Sequence, residues 1–126
     1  MTTTKFTQKY LQKLLHLNES EWEIALDLED VNHLIECATS IAIQETNGNT
    51  IQEAVNALSP EELECDNAQK LLFVVLCNKS YQPIMAEIAK LNDFISSNFK
   101  SDDIRWGFAS DYKSEHNATI IAVTAR

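Results

Sequence analysis

The sequence is short of the two residue types that phosphate sites depend on. Its only glycines, Gly48 and Gly107, are widely separated, so nothing resembles a glycine-rich loop whose backbone amides could cradle phosphates. Its only arginines are Arg105 and Arg126, which leaves a polyanionic small substrate without the guanidinium forks that usually hold it. Cations are scarce in general: 10 Lys and Arg stand against 19 Asp and Glu, a formal charge of −9. That balance argues against a nucleic-acid partner, because phosphate backbones are held by clustered Lys and Arg. The longest strongly apolar run, LLFVVLC at residues 71–77, is too short to cross a membrane. The opening MTTTKFTQKY lacks the apolar stretch of a signal peptide, so no membrane partner and a cytoplasmic location are expected. Cys37, Cys65 and Cys77 show no CxxC spacing and cannot all pair internally, which suits free or buried thiols in a reducing compartment. His16, His33 and His116 are not spaced with one another or with the cysteines as metal ligands would be, and read as surface or loop histidines. The stretch from Asp27 to Asp30 lacks the glycine and distal glutamate of a calcium loop. No metal, cofactor or catalytic residue is expected, and the chain reads as non-enzymatic.

What the sequence does contain is one domain's worth of core. At 126 residues and 44% apolar content, a single domain spanning 1–126 is expected. It is organised around IRWGFASDYKSEHNATIIAVTAR, the last 23 residues. Residues 104–110 and 118–124 read as strands joined by a polar loop, and the second of them, ATIIAVT, is apolar on both faces. Such a strand is normally covered on both sides, so the final strand should lie inside the sheet. Residues 70–77 form a second, equally apolar strand.

The rest alternates helix and strand signals. Phe6, Tyr10, Leu14 and Leu17 fall at helical spacing over residues 4–17, with Lys5, Lys9 and Lys13 on the outer face. In residues 19–31, Trp22, Ile24, Leu26 and Leu28 alternate with acidic residues, which suggests an extended segment with six carboxylates and no cation between Glu19 and Asp30. Asp27 and Asp30 then approximate a capping box for a helix carrying Val31, Leu34, Ile35 and Ala38 on one stripe. Residues 39–46 alternate as a strand, closed by the turn residues Asn47, Gly48 and Asn49. Thr50 and Glu53 frame a capping box for a helix with Ile51, Ala54, Val55 and Leu58 inward, and Ser59-Pro60-Glu61-Glu62 repeats the start signal for a short extra turn. Pro83 opens a helix with Ile84, Ile88, Leu91 and Ile95 on one face, widened by Phe94 and Phe99. The sum is an α+β fold, β-α-β-α-β-β preceded by two helices. Alternation of this kind implies crossover connections and a sheet that is mostly parallel. Residues 1–26 would be an N-terminal helix and extended acidic segment, and 27–126 the core.

Several phrases then resemble one family in the right order. LDLEDV at residues 26–31, TSIAIQETNGNTIQEAVNAL at 39–58, LSPEELE at 58–64, DNAQKLLFVVL at 66–76, IRWGFASD and ATIIAVTA are similar to the C-terminal domain of FtsZ, in the tubulin/FtsZ family. The resemblance covers residues 27–125 or so. It implies a mixed four-stranded sheet in the order 1-4-2-3 with strand 4 antiparallel, in a chain that lacks the family's GTP-binding domain. It also implies that Asp27 and Asp30 match the acidic loop that meets the next subunit along a filament, where such carboxylates help position water and metal at the γ-phosphate. This sequence departs from that loop at Trp22 and Ala25, where the family has glycine and asparagine.

Three readings of Asp27 and Asp30 therefore stand together: retained participation in another subunit's GTP site, a contact surface, or a helix cap. Trp22 is either a core residue or an interface anchor. The resemblance favours a protein-interaction domain that acts on an FtsZ-like filament protein or on itself, with Trp22, Asp27 and Asp30 as partner contacts and the sheet's exposed side as a second surface. The competing reading is an oligomeric small-molecule binder or enzyme with an intersubunit site, of chorismate-mutase-like topology.

Overall fold

The computed structural model describes residues 22–24, 33–34, 39–78, 80–81, 85–101, 103–109 and 115–126. Its elements in chain order are β1 (Trp22–Ile24), β2 (Ile41–Gly48), α1 (Ile51–Asn56), β3 (Lys70–Cys77), α2 (Met85–Asn98), β4 (Ile104–Ala109) and β5 (Ala118–Ala125). The expected helix over residues 4–17 lies outside the described residues, as do Val31, Ile35 and Ala38 of the next one. His33 and Leu34 are helical, and Leu34 is buried.

One sheet runs in the order β1-β4-β3-β5-β2. Read from the β2 edge, the last four strands of the chain take the expected order 1-4-2-3, with β5 antiparallel to both of its neighbours. The final strand is interior, as its two apolar faces require, and all eight of its residues are buried. The sheet is not mostly parallel in its pairing, however. Only β3 and β4 are parallel neighbours; β2–β5, β3–β5 and β1–β4 are antiparallel. The crossovers do keep β2, β3 and β4 running one way, but β5 enters between β2 and β3 and separates them. The three-residue β1 adds a fifth strand outside β4, where alternation had suggested an extended segment.

Period-2 geometry sorts the apolar residues onto two faces. Leu71, Phe73, Val75 and Cys77 of β3, with Ala118, Ile120 and Ala122 of β5, join α1 and α2 in one core cluster. The alanines on β5 leave room there for the larger Phe73, whose ring meets Phe99 edge-on at 6.1 Å. The intervening residues Leu72, Val74, Leu76, Ile121 and Val123 are equally buried. The centre of the sheet therefore has no exposed side, and the expectation of a contact surface there is corrected: a strand pair apolar on both faces must be covered on both.

Local signals explain the connections. Thr50 caps α1 by accepting the Glu53 amide at 3.1 Å. Ser59 accepts the Glu62 amide at 3.4 Å, starting the turns over residues 60–67. These close as a Schellman motif: Pro60 O accepts Cys65 N at 3.1 Å and Glu61 O accepts Glu64 N at 3.1 Å. Glu64 takes the left-handed position, φ 50°, where glycine is usual. The expected turn at Asn47, Gly48 and Asn49 begins two residues later than its composition suggests. Asn47 and Gly48 continue the ladder opposite Thr119 and Ala118, and Asn47 Oδ1 accepts the Thr119 hydroxyl at 2.7 Å. Gly48 is needed for close approach, since a Cβ there would lie 2.7 Å from Glu53 Cβ.

Candidate functional site

Of the sequence-derived contact residues, only Trp22 is placed, and by its backbone. It pairs with Ala109 and Ile24 with Phe108, across an irregularity in the register, so this end of the acidic segment forms the sheet edge beside β4. Asp27 and Asp30 lie outside the described residues, and their three readings stand as they were.

A corner of the sheet gathers residues that spacing did not connect. The ring Nε2 of His33 lies 2.9 Å from each carboxylate oxygen of Asp103, and Lys70 Nζ donates to the His33 carbonyl at 2.7 Å. Asp103 in turn lends its carbonyl to the Leu71 amide at 2.9 Å, where β3 and β4 begin their parallel pairing. The His33 and Asp103 side chains are about a third exposed, at 30% and 37%, so the pair is a half-solvated tie worth about 0–1 kcal/mol. It anchors the helical segment that follows the acidic stretch. His33 is thus a tertiary link and not merely a surface histidine. Seventy residues separate the partners, and no linear pattern could have joined them. Among the described residues, no group of three or more His, Cys, Asp or Glu could hold a metal ion.

A second site lies on the helix-covered side of the sheet. Between α1, α2, β3 and β4 a cavity of about 370 Å³ opens to the surface. Ile51, Val75 and Leu91 are buried at its floor, half-buried Ile88, Trp106 and Phe108 form its walls, and Asn92 brings an exposed amide. Trp106 is tilted against Phe73 with ring centroids 5.8 Å apart, which seats it on the core. Beside the cavity, Tyr81 joins the two helices. Its hydroxyl accepts the Ile51 amide at 3.2 Å, satisfying a donor at the start of α1, and donates to the Glu87 carboxylate in the first turn of α2. Burial, then the hydrogen bond to Glu87, pushes the Tyr81 phenol up to about 12, so it stays neutral near pH 7. Trp106 and Phe108 belong to the strand expected over residues 104–110, and their half-buried side chains wall the cavity.

No described helix is long and apolar enough to cross a membrane. Neither a protein-family model nor a curated protein matches the chain. Solved structures do. An FtsZ dimer from M. jannaschii aligns with a TM-score of 0.64 at 20% identity, over 84% of this chain and 32% of that one. A point mutant of FtsZ from M. jannaschii aligns with a TM-score of 0.70 at 17% identity, over 99% and 39%. CetZ2 from Haloferax volcanii, a GTPγS-bound protofilament, aligns with a TM-score of 0.54 at 13% identity, over 82% and 35%. The chain spans about a third of the length of the structures it matches. It carries an FtsZ/tubulin-like fold, at a size that fits the C-terminal domain alone.

Proposed function

We propose that this domain is a non-enzymatic interaction module that binds an FtsZ-like filament protein, or itself, and caps or shortens filaments. One observation carries the reading: the fold is that of proteins whose solved structures include a dimer and a protofilament. The sequence supports it from the other side, since Gly48 and Gly107 cannot make a phosphate-cradling loop in this chain. A module that keeps a subunit-contact face without a nucleotide site beside it can occupy a filament end and not extend it. The face proposed is the acidic stretch with Trp22, Asp27 and Asp30, an aromatic residue among carboxylates in the sequence, with the Trp22 backbone at the sheet edge. Its charge should make the encounter salt-sensitive. A cytoplasmic site of action belongs to the same proposal.

The test is sedimentation of FtsZ polymer from the same cell with this protein. Wild type is compared with the triple variant Trp22→Ala, Asp27→Asn, Asp30→Asn, whose folding is checked by circular dichroism. Wild type should co-sediment or reduce polymer at low salt, and the variant should not. Equal effects from both would show that the face is wrong. No effect from either, with the protein monomeric by size exclusion, would reject the filament reading.

A further inference from the structure

We propose that the cavity between α1, α2, β3 and β4 is a binding site for a compact, uncharged aromatic molecule carrying one amide-like hydrogen-bonding group. Its volume, about 370 Å³, sits at the low end of the range of roughly 300–1,000 Å³ in which proteins enclose small ligands. That is too little for a partner helix, whose diameter with side chains is about 10–12 Å. The lining sets the chemistry. Ile51, Val75, Ile88 and Leu91 offer only hydrocarbon, and Trp106 and Phe108 offer ring faces and edges on which an aromatic ring packs favourably. Among the described residues, Asn92 supplies the one polar side chain of the lining, able to donate and accept at once.

Among the described residues, no charged side chain lines the space. Tyr81 and Glu87, beside Ile51 of the lining, are engaged with each other and with the Ile51 amide. A charged ligand would therefore lose water without gaining a counter-charge. The same Tyr81 contacts make the site preformed, because they tie the start of α1 to the first turn of α2 beside the opening. Trp106, seated on Phe73, fixes the opposite wall.

2-Naphthamide is a suitable probe, being neutral, two-ringed and amide-bearing, with 2-naphthoate as its charged counterpart. Binding is read from the Trp106 indole N–H resonance, assigned by its loss in Trp106→Phe. The wild-type resonance should shift saturably with the amide. Asn92→Leu should weaken the amide by about fivefold, the equivalent of one hydrogen bond. Ile88→Trp, which fills the cavity from a half-buried helix position, should abolish the shift while the denaturant midpoint confirms folding. The naphthoate should bind at least several-fold more weakly than the amide. A non-saturating titration would overturn the proposal, as would equal binding by Ile88→Trp or by the naphthoate. So would a concentration-dependent shift of the same resonance with no probe added, which would assign the cavity to a second copy of the chain.

Discussion

The hydroxyl of Thr46 donates to the carbonyl oxygen of Ala54 at 2.7 Å, so strand β2 caps the helix that follows it. The Leu58 amide, which would have served that carbonyl in a longer helix, turns to Val55 O at 3.0 Å. Helix α1 therefore ends on a tertiary contact, with Thr46 buried. Thr46→Val keeps the shape and leaves the Ala54 carbonyl without this donor. It should cost about 1–3 kcal/mol, read as a lowered urea midpoint with unchanged slope. Thr46→Ser, which keeps the hydroxyl, should recover most of the loss.

Tyr81→Phe removes the acceptor for Ile51 N and the donor to Glu87, and should cost about 1–2 kcal/mol at neutral pH. The pH dependence has a definite sign. The folded protein holds the phenol protonated up to about 12 against an ordinary value of 10.0, so the unfolded chain releases this proton first. The contribution is full below pH 10 and is lost as pH rises toward 12. Urea titrations across that window should show the advantage of wild type over Tyr81→Phe shrinking as pH rises.

Gly48→Ala should destabilise the protein by about 1–3 kcal/mol, measured by thermal or urea unfolding. The added methyl would lie 2.7 Å from Glu53 Cβ and 2.9 Å from the backbone at Ala54 N and Thr50 O. None of these atoms can swing aside without moving α1 away from β2.

Glu64 works in the opposite direction. Its left-handed backbone costs a non-glycine residue about 1–2 kcal/mol. What the side chain returns is modest: Ser40 Oγ donates to it at 3.3 Å, and Arg126 lies 3.7 Å away in a half-exposed ion pair. Glu64→Gly should therefore raise stability by about 0.5–1 kcal/mol, visible as a higher urea midpoint. A lowered midpoint would show that the Ser40 and Arg126 contacts outweigh the backbone.

The sequence alone determined the elements that rest on local chemistry. Periodicity and caps place α1 behind Thr50, and two uninterrupted apolar runs declare β3 and β5 as strands covered on both faces. Phrase order over the last hundred residues pointed to the fold, including the interior position of a strand that comes last in the chain. Tertiary structure decided what depends on residues distant in the chain. Strand pairing is set by which backbone edges meet, so the antiparallel entry of β5 between β2 and β3 could not be read from alternation of helix and strand. The short β1 joins because β4 offers it an edge, not because three residues specify a strand. Asn47 and Gly48 look like turn residues, yet they stay in the ladder because β5 supplies their partners. His33 found Asp103 across seventy residues, and Tyr81 found both Ile51 and Glu87. The cavity has no linear signature, since two helices and two strands from distant parts of the chain line it. Local free energies are written in neighbouring residues, whereas a cavity or a cross-chain hydrogen bond exists only after the chain has closed.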